Sequence, residues 1–264
     1  MASLPDAETL TKARLALSVD GPVATITLNA PDRRNAQVPS LWHTLTAIGE
    51  ALPDDVRVVV VKGSGPCFSA GLDLGLLSPE GIEGEESTLE LMSVSDQQII
   101  DTIDGYQRGF TWLTDPRFIS IAAVHGFAIG AGFQLALACD LRVVADDAWF
   151  CMKEPALGLV PDLTGTKPLV DIVGYSRALE ICATARQVTA SEAADLGLAT
   201  AVVPADQLAA ATDDLVQALL ANNAGAVRET TALLQSARVE DLETQRLLER
   251  TAQVRRFRAL AAGE

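Results

Sequence analysis

Short apolar runs in the first half of the chain predict β-strands. Residues 14–19 and 23–28 alternate between apolar and polar side chains on either side of a Gly-Pro turn, which predicts a β-hairpin. Residues 56–61 and 119–124 are β-branched and apolar apart from one polar residue in each run, Arg57 and Ser120. Such runs are typical of strands that are buried on both faces of a parallel sheet.

Apolar side chains at helical spacing lie between and after these runs. Leu41, Leu45 and Ile48 share one face of a predicted helix at 38–52. Further predicted helices are 99–113, 133–138, 165–173, 176–183, 205–221, 226–237 and 239–262, with a helical turn that opens at 191–194. Further short strands are predicted at 139–145, 148–151 and 198–203. Repeated strand–helix–strand order favours an α/β fold with a mostly parallel sheet. We expect a core domain at 1–203, with a helical region at 204–264 that covers the core or joins subunits.

Two glycine-rich turns follow predicted strands. The first is KGSGPCFSAGLDL at 62–74, and the second opens HGFAIGAGFQLALACD at 125–140. In the second, a small-residue helix follows the glycines, so free N–H groups at the helix start lie at its positive dipole end. Such a turn can bind an anion or a developing oxyanion, whereas the alternative is a tightly packed turn without a ligand.

The segment 75–95 is acidic and has little apolar area to bury. Its glutamates are Glu80, Glu83, Glu85, Glu86 and Glu90. We expect it to be mobile without a ligand, either as a solvated stretch or as a lid. The slightly longer segment 75–100 is expected to supply the walls of the pocket.

Composition limits the class of protein. The chain has 264 residues, 48% of them hydrophobic, and a net charge of −15, which argues against nucleic acid or an anionic membrane as a partner. Because the N-terminus lacks a signal pattern and no apolar run approaches about 20 residues, a cytoplasmic location is expected. The four cysteines are expected to be free thiols, and two histidines are too few for an ordinary zinc site.

Five motifs in order resemble the enoyl-CoA hydratase/isomerase, or crotonase, superfamily over nearly the whole chain. They are RNA at 34–36, FSAGLDL at 68–74, HGFAIGAGFQLALACD at 125–140, FCMKEPALGLVP at 150–161 and ASEAADLGLATAVVP at 190–204. The resemblance implies a crotonase-like α/β fold of repeated β–β–α units. It also implies that the backbone N–H groups of Leu72 and Ala131 hold the oxygen of an acyl-CoA thioester.

The resemblance assigns the reacting groups to two positions. Hydratases of the family use two glutamates, of which this chain keeps Glu154 and has Gln134 in place of the other. An amide cannot take up a proton near neutral pH, although it can bind a water or the substrate. Family isomerases often use the second glutamate alone, so this departure favours isomerisation.

Asp162 has two interpretations. Dienoyl-CoA isomerases of the family carry an aspartate at this place, where it could protonate the far end of a conjugated system. The alternative is that Asp162, or Thr164 after it, caps a helix beginning near Leu163. The two roles are not exclusive.

Further residues are expected to bind the substrate. Arg33, Arg34 and Lys62 are candidates for CoA phosphates, although solvated surface charge explains them equally well. The remaining candidates lie in the two turns: Ala70, Gly71, Asp73 and Gly130.

The resemblance therefore predicts enoyl- or dienoyl-CoA double-bond isomerisation, with Glu154 as base. The alternatives are hydration of a 2-enoyl-CoA and a non-catalytic acyl-CoA-binding protein. No metal or redox cofactor is expected, because CoA arrives as part of the substrate. A homotrimer or a dimer of trimers is the expected assembly.

Overall fold

The computed structural model describes residues 3–263, except for the side chain of Leu89, and a six-stranded sheet lies at its centre. The strands are β1 (Leu15–Asp20), β2 (Val23–Leu28), β3 (Val58–Gly63), β4 (Ile119–Val124), β5 (Phe127–Ile129), β6 (Leu141–Ala145), β7 (Trp149–Cys151), β8 (Val188–Thr189) and β9 (Ala201–Val203). The central sheet has the order β1-β2-β3-β4-β6-β9. Only the β1–β2 hairpin is antiparallel within it, which confirms the predicted hairpin and the mostly parallel sheet.

A second sheet of three strands, β5-β7-β8, lies beside the first. The sequence did not predict β5 or β8. Strand β5 has three residues inside the second glycine-rich turn and pairs in parallel with β7, while β8 has two residues. Runs of this length carry too few alternations to be distinguished from a turn.

Helices cover the sheets and form the C-terminal region. They are α1 (Ala7–Lys12), α2 (Pro39–Ala51), α3 (Thr88–Ser93), α4 (Asp96–Thr111), α5 (Ala131–Ala138), α6 (Thr166–Val173), α7 (Tyr175–Thr184), α8 (Ala190–Asp195), α9 (Leu208–Leu220), α10 (Ala224–Ser236) and α11 (Leu242–Ala261). Helix α1 was not predicted, although Asp6 caps it by accepting a hydrogen bond from the Thr9 N–H. None of the helices within residues 3–263 is long and apolar enough to cross a membrane.

Helix α5 is the most enclosed element of the core. All eight of its residues are buried, including the polar Gln134. Phe133 packs against Phe150 of β7, with ring centroids 5.0 Å apart. Because α5 is buried on every side, it can only be accommodated between layers, and this fixes its N-terminus at the end of β5.

The acidic segment at 75–95 includes regular structure that the sequence did not predict. It contains a 3₁₀ helix at Leu74–Leu77 and helix α3. Glu85 accepts hydrogen bonds from the N–H and hydroxyl of Ser40, and Glu86 accepts one from the Tyr106 hydroxyl. These bonds attach the segment to α2 and α4, and its mobility stays a prediction.

The C-terminal helices divide into two groups. Helix α9 packs against the central sheet and buries Leu208 and Val216, whereas α10 and α11 pack on each other and leave Leu247 and Phe257 exposed. These exposed residues are compatible with an assembly interface, and the trimer stays a prediction. Cys67, Cys139, Cys151 and Cys182 are free thiols, as predicted.

Candidate active site

The first glycine-rich turn presents the N–H of Leu72. Leu72 forms a parallel bridge with Gln37, in which Gln37 N–H donates to Gly71 O at 2.7 Å and Asp73 N–H donates to Gln37 O at 2.9 Å. Leu72 lies between the two residues that bond to Gln37, and in a parallel bridge the N–H of the residue in this place points away from the partner strand. Among the described residues the Leu72 N–H has no backbone acceptor. It is therefore available to a ligand.

Side chains of the turn and two side chains distant in the sequence, Asn35 and Arg14, hold this turn in shape. Asn35 donates to the carbonyl oxygens of Ser64 and Cys67, each at 2.8 Å. Ser69 Oγ donates to Asn35 O at 2.8 Å and accepts from Gly71 N–H at 3.1 Å. Asp73 accepts from Arg14 at 2.7 Å, and this cation holds the pKa of Asp73 below its usual range despite partial burial. Burial alone would raise that pKa. Sequence reasoning missed Asn35 and Ser69 as supports of the site, although Asn35 belongs to the RNA motif.

The second turn presents the N–H of Ala131, the first residue of α5. A helix has no internal acceptor for this N–H. Gly130 precedes it with φ +51°, and its own N–H donates to Cys151 O at 2.8 Å. The two turns touch: a Cβ built on Gly71, which has φ +82°, would lie 2.3 Å from Ile129 O and 3.3 Å from Ala131 N. Only glycine allows this approach, which brings the two free N–H groups side by side.

Glu154 is the buried carboxyl group next to these donors. It opens a 3₁₀ helix at Glu154–Leu157 and is 8% exposed. Its Oε1 accepts a hydrogen bond from Gln134 Nε2 at 2.6 Å, whereas its buried Oε2 has no hydrogen-bond partner within residues 3–263. Burial raises the pKa of Glu154, and the negative charge of Asp162 raises it further. Hydrogen bonds from Gln134 and the backbone lower this pKa, but they do not cancel the effect of burial. A buried carboxylate with one unpartnered oxygen and a raised pKa is suited to accept a proton.

The raised pKa of Glu154 predicts a cost in stability. The folded state binds this proton more tightly than the unfolded state, so stability falls as the pH rises from the ordinary glutamate pKa through the folded one. Glu154→Gln removes the ionisation and keeps an acceptor for Gln134. We expect the unfolding free energy of the variant, relative to wild type, to rise across that pH window and then level off. Urea unfolding at a series of pH values measures the difference in unfolding free energy between the variant and wild type, with Glu249→Gln at an exposed position as control. A difference that does not change with pH would contradict the expectation.

Gln134 connects Glu154 to the loop that precedes α6. Its Oε1 accepts hydrogen bonds from the N–H groups of Leu163 at 2.9 Å and Gly165 at 3.2 Å, while its amide group donates to Glu154. An amide side chain can accept hydrogen bonds from two N–H groups with its oxygen and donate to a carboxylate with its nitrogen at the same time. A Cβ on Gly165 would lie 2.6 Å from Gln134 Cγ, so glycine is required for this contact.

Asp162 does not cap a helix, so the capping interpretation is wrong. Helix α6 begins at Thr166, its N-cap is Gly165, and no side chain caps it. Thr164 is not the cap either and has φ +68°. The structure places Asp162 in the wall of the same cavity as Glu154, where burial raises its pKa. The sequence misplaced the helix start because Gln134, rather than a local cap, satisfies the loop N–H groups.

A cavity of about 630 Å³ joins these groups. The predicted residues in its wall are Ala70, Leu72, Gly130, Ala131, Gln134, Glu154 and Asp162. Segment 75–100 contributes Leu76, Leu91, Met92 and Ile99 among others, which confirms the prediction that this segment supplies pocket walls. Within residues 3–263, no three His, Cys, Asp or Glu side chains are grouped so that they could hold a metal ion.

The predicted phosphate-binding cations are separated by the fold. Arg33 lies 3.5 Å from Asp73 and is largely exposed beside the first turn, and Arg34 lies next to it with φ +52°. Lys62, by contrast, lines a different cavity, next to α9. The structure therefore brings Arg33 and Arg34 close to the site and leaves Lys62 apart from it.

Comparisons with known proteins agree with this geometry. The family model described as enoyl-CoA hydratase/isomerase matches residues 19–261. A peroxisomal Δ(3,5)-Δ(2,4)-dienoyl-CoA isomerase of Arabidopsis thaliana is 35% identical over 70% of this chain and 66% of that protein. The structure of a "putative enoyl-CoA hydratase" of Thermobifida fusca YX in complex with CoA is 50% identical over 100% of both chains, with a TM-score of 0.95. The same name is given to a complex with acetoacetyl-CoA, 51% identical over 97% of this chain and 100% of that one, with a TM-score of 0.94. The chain has the crotonase fold and belongs to the enoyl-CoA hydratase/isomerase family.

Proposed function

We propose that this protein isomerises a carbon–carbon double bond of an enoyl- or dienoyl-CoA thioester through an enolate. The observation that carries the proposal is the state of Glu154, whose Oε1 is held by Gln134 and whose Oε2 is free. The carboxylate has one oxygen for orientation and one for proton transfer. The neighbouring position, which would hold a second acid in a hydratase, is an amide.

The proposed reaction moves one proton and no other atom. Glu154 Oε2 takes a proton from C2 of a 3-enoyl thioester, and the electron pair passes to the thioester oxygen. The N–H groups of Leu72 and Ala131 stabilise the resulting enolate. Glu154 then returns the proton to C4, which leaves the double bond between C2 and C3.

Hydration is the rival reaction and needs more than the site offers. It requires an activated water and a proton for C2. The carbonyl oxygen of Gln134 already accepts two N–H groups of the Leu163–Gly165 loop, so it has little capacity left to accept a hydrogen bond from a water. Gln134 keeps one N–H that can hold a water without activating it.

The names of related proteins support an acyl-CoA substrate for this chain. A solved relative is in complex with CoA, and another complex holds acetoacetyl-CoA. The resemblance to dienoyl-CoA isomerases, together with Asp162 in the cavity wall, supports conjugated dienes among the substrates. The proposed reaction uses no cofactor beyond the CoA of the substrate.

A panel of thioesters tests the proposal. The protein is incubated with a 3-enoyl-CoA, a 3,5-dienoyl-CoA and crotonyl-CoA, and products are identified by mass spectrometry with chromatography. Double-bond migration faster than water addition supports the proposal. Rapid addition of water to crotonyl-CoA without isomerisation favours a hydratase, and binding without turnover indicates an acyl-CoA-binding protein.

Gln134→Glu is expected to move the pH dependence of isomerisation upward. The new carboxyl would accept from the Leu163 and Gly165 N–H groups and turn its other oxygen toward Glu154 Oε1, where the amide nitrogen now lies at 2.6 Å. Two carboxylates so close share a proton, which raises one pKa by about one unit or more. The acidic limb of kcat/KM moves to higher pH, and hydration rises relative to isomerisation. Gln134→Met, which cannot ionise, is the control, and an unshifted Gln134→Glu profile contradicts this role of Gln134.

Asp162→Asn is expected to act on dienoyl substrates only. In a 3,5-dienoyl thioester the returned proton must reach C6, beyond the carbon that Glu154 serves in a 3-enoyl substrate, and Asp162 is another acid in the cavity wall. General acid assistance is typically worth 10²–10⁴-fold, so kcat for the dienoyl thioester should fall by about that factor. Activity with a 3-enoyl-CoA and the melting temperature should change little, since Asp162 caps no helix. The exposed Asp147→Asn serves as control, and an equal loss with both substrates would contradict this assignment.

A further inference from the structure

Apolar side chains that are exposed to solvent surround the cavity. Met92 is 70% exposed and Val160 is 71% exposed, yet both line its wall. The exposed apolar residues around the cavity are Leu74, Leu77, Met92, Leu157, Leu159 and Val160. Scattered exposed apolar residues are ordinary, whereas a contiguous group around one cavity marks a surface that a ligand covers.

The charges in the wall disfavour an acyl group with its own carboxylate. Among the described lining residues, Lys153 is the one cation, whereas Glu86, Glu154 and Asp162 are acids. A cavity of about 630 Å³ is within the range that encloses drug-sized ligands. A four-carbon acyl chain would leave most of its apolar wall uncovered.

One face of α4 is the fixed side of this wall. Ile99, Ile103 and Tyr106 lie three or four residues apart, so they share the face that lines the cavity. A capping box formed by Ser95 and Gln98 fixes the start of the helix. Near its other end, a Cβ on Gly109 would lie 2.4 Å from Trp42 O of α2, so the two helices are in close contact. Ile103 occupies the middle of this rigid face.

We infer that the cavity accepts a long, uncharged, apolar acyl group, and that Ile103 limits its size. The inference rests on the proposed function, in which the thioester oxygen binds at Leu72 and Ala131. The reactive end of the thioester is then held at those N–H groups, and the rest of the acyl chain covers the apolar wall. Each additional buried methylene strengthens binding about fourfold until the chain meets Ile103.

The test measures binding of saturated acyl-CoA thioesters, which need no turnover. Calorimetric Kd values are compared for butyryl-, octanoyl-, dodecanoyl- and glutaryl-CoA. Octanoyl-CoA is expected to bind at least about tenfold more tightly than butyryl-CoA, with glutaryl-CoA no better than butyryl-CoA. Equal affinity for butyryl- and octanoyl-CoA overturns the inference and leaves the proposed isomerase intact. Absence of binding to every thioester overturns both.

Variants of α4 locate the limit. Ile103→Trp should weaken octanoyl-CoA binding at least about tenfold and leave butyryl-CoA within about twofold. Ile100→Trp is the matched control, because Ile100 is on the same helix but is 59% exposed and lies outside the cavity. Ile103→Ala, which does not crowd the site, should shift the preference toward dodecanoyl-CoA. An Ile103→Trp that weakens both chain lengths equally, or an Ile103→Ala without a shift, contradicts the role of Ile103.

Discussion

Glu154→Gln is expected to lower kcat for double-bond isomerisation by about 10²–10⁴-fold, the usual contribution of a general base to the rate. Glutamine has nearly the same shape and can still accept the hydrogen bond from Gln134, so the loop before α6 should keep its place. It cannot take a proton from C2. The loss should appear in kcat, with the Kd for a saturated acyl-CoA unchanged, because the N–H groups of Leu72 and Ala131 remain.

Initial rates with a 3-enoyl-CoA, followed by chromatography, measure this loss. Glu249→Gln, at an exposed position on α11, is the control and should match wild type. An isomerisation rate in Glu154→Gln within about tenfold of wild type would show that another group moves the proton.

Ala131→Pro is expected to lower kcat by about 10²–10³-fold, the usual effect of removing one oxyanion donor. Ala131 is the first residue of α5, a position where proline is tolerated because its missing N–H has no helical acceptor. Gly130, with no Cβ, is compatible with a following proline. The substitution therefore deletes a hydrogen bond to the substrate with little effect on the helix.

Ala224→Pro is the matched control for this substitution. Ala224 is the first residue of α10 and lies outside the cavity, so the same change there should leave activity intact. Circular dichroism and the melting temperature verify folding of both variants. Full activity of a folded Ala131→Pro protein would exclude the Ala131 N–H from enolate stabilisation.

Elements with strong periodicity were predictable from the sequence. The β1–β2 hairpin, strand β4 and helix α2 lie within about a residue of their predicted bounds, since their alternation or helical spacing reflects burial. Strands β5 and β8 were not predictable from the sequence, because they form only by pairing with β7. Helix α1 was missed because no buried residue marks it.

The site was predictable as far as family motifs reach. Leu72, Ala131, Gln134 and Glu154 come from three of the motifs, and the structure places them around one cavity. The network of Gln134 was not predictable, since its partners lie 20 to 31 residues away in the chain. Asp162 shows the same limit. The local sequence favoured Asp162 as a helix cap, whereas in the structure the distant Gln134 accepts the hydrogen bonds of the loop N–H groups before α6.

The most direct test of the single-base account follows the fate of one hydrogen. A 3-enoyl-CoA deuterated at C2 is isomerised in ordinary water, and deuterium at C4 of the product is measured by mass spectrometry. Because Glu154 Oε2 is buried and has no hydrogen-bond partner in the described part of the chain, we expect part of the label to move from C2 to C4. Product with no deuterium at C4, formed together with a hydrated thioester at a comparable rate, would contradict the account.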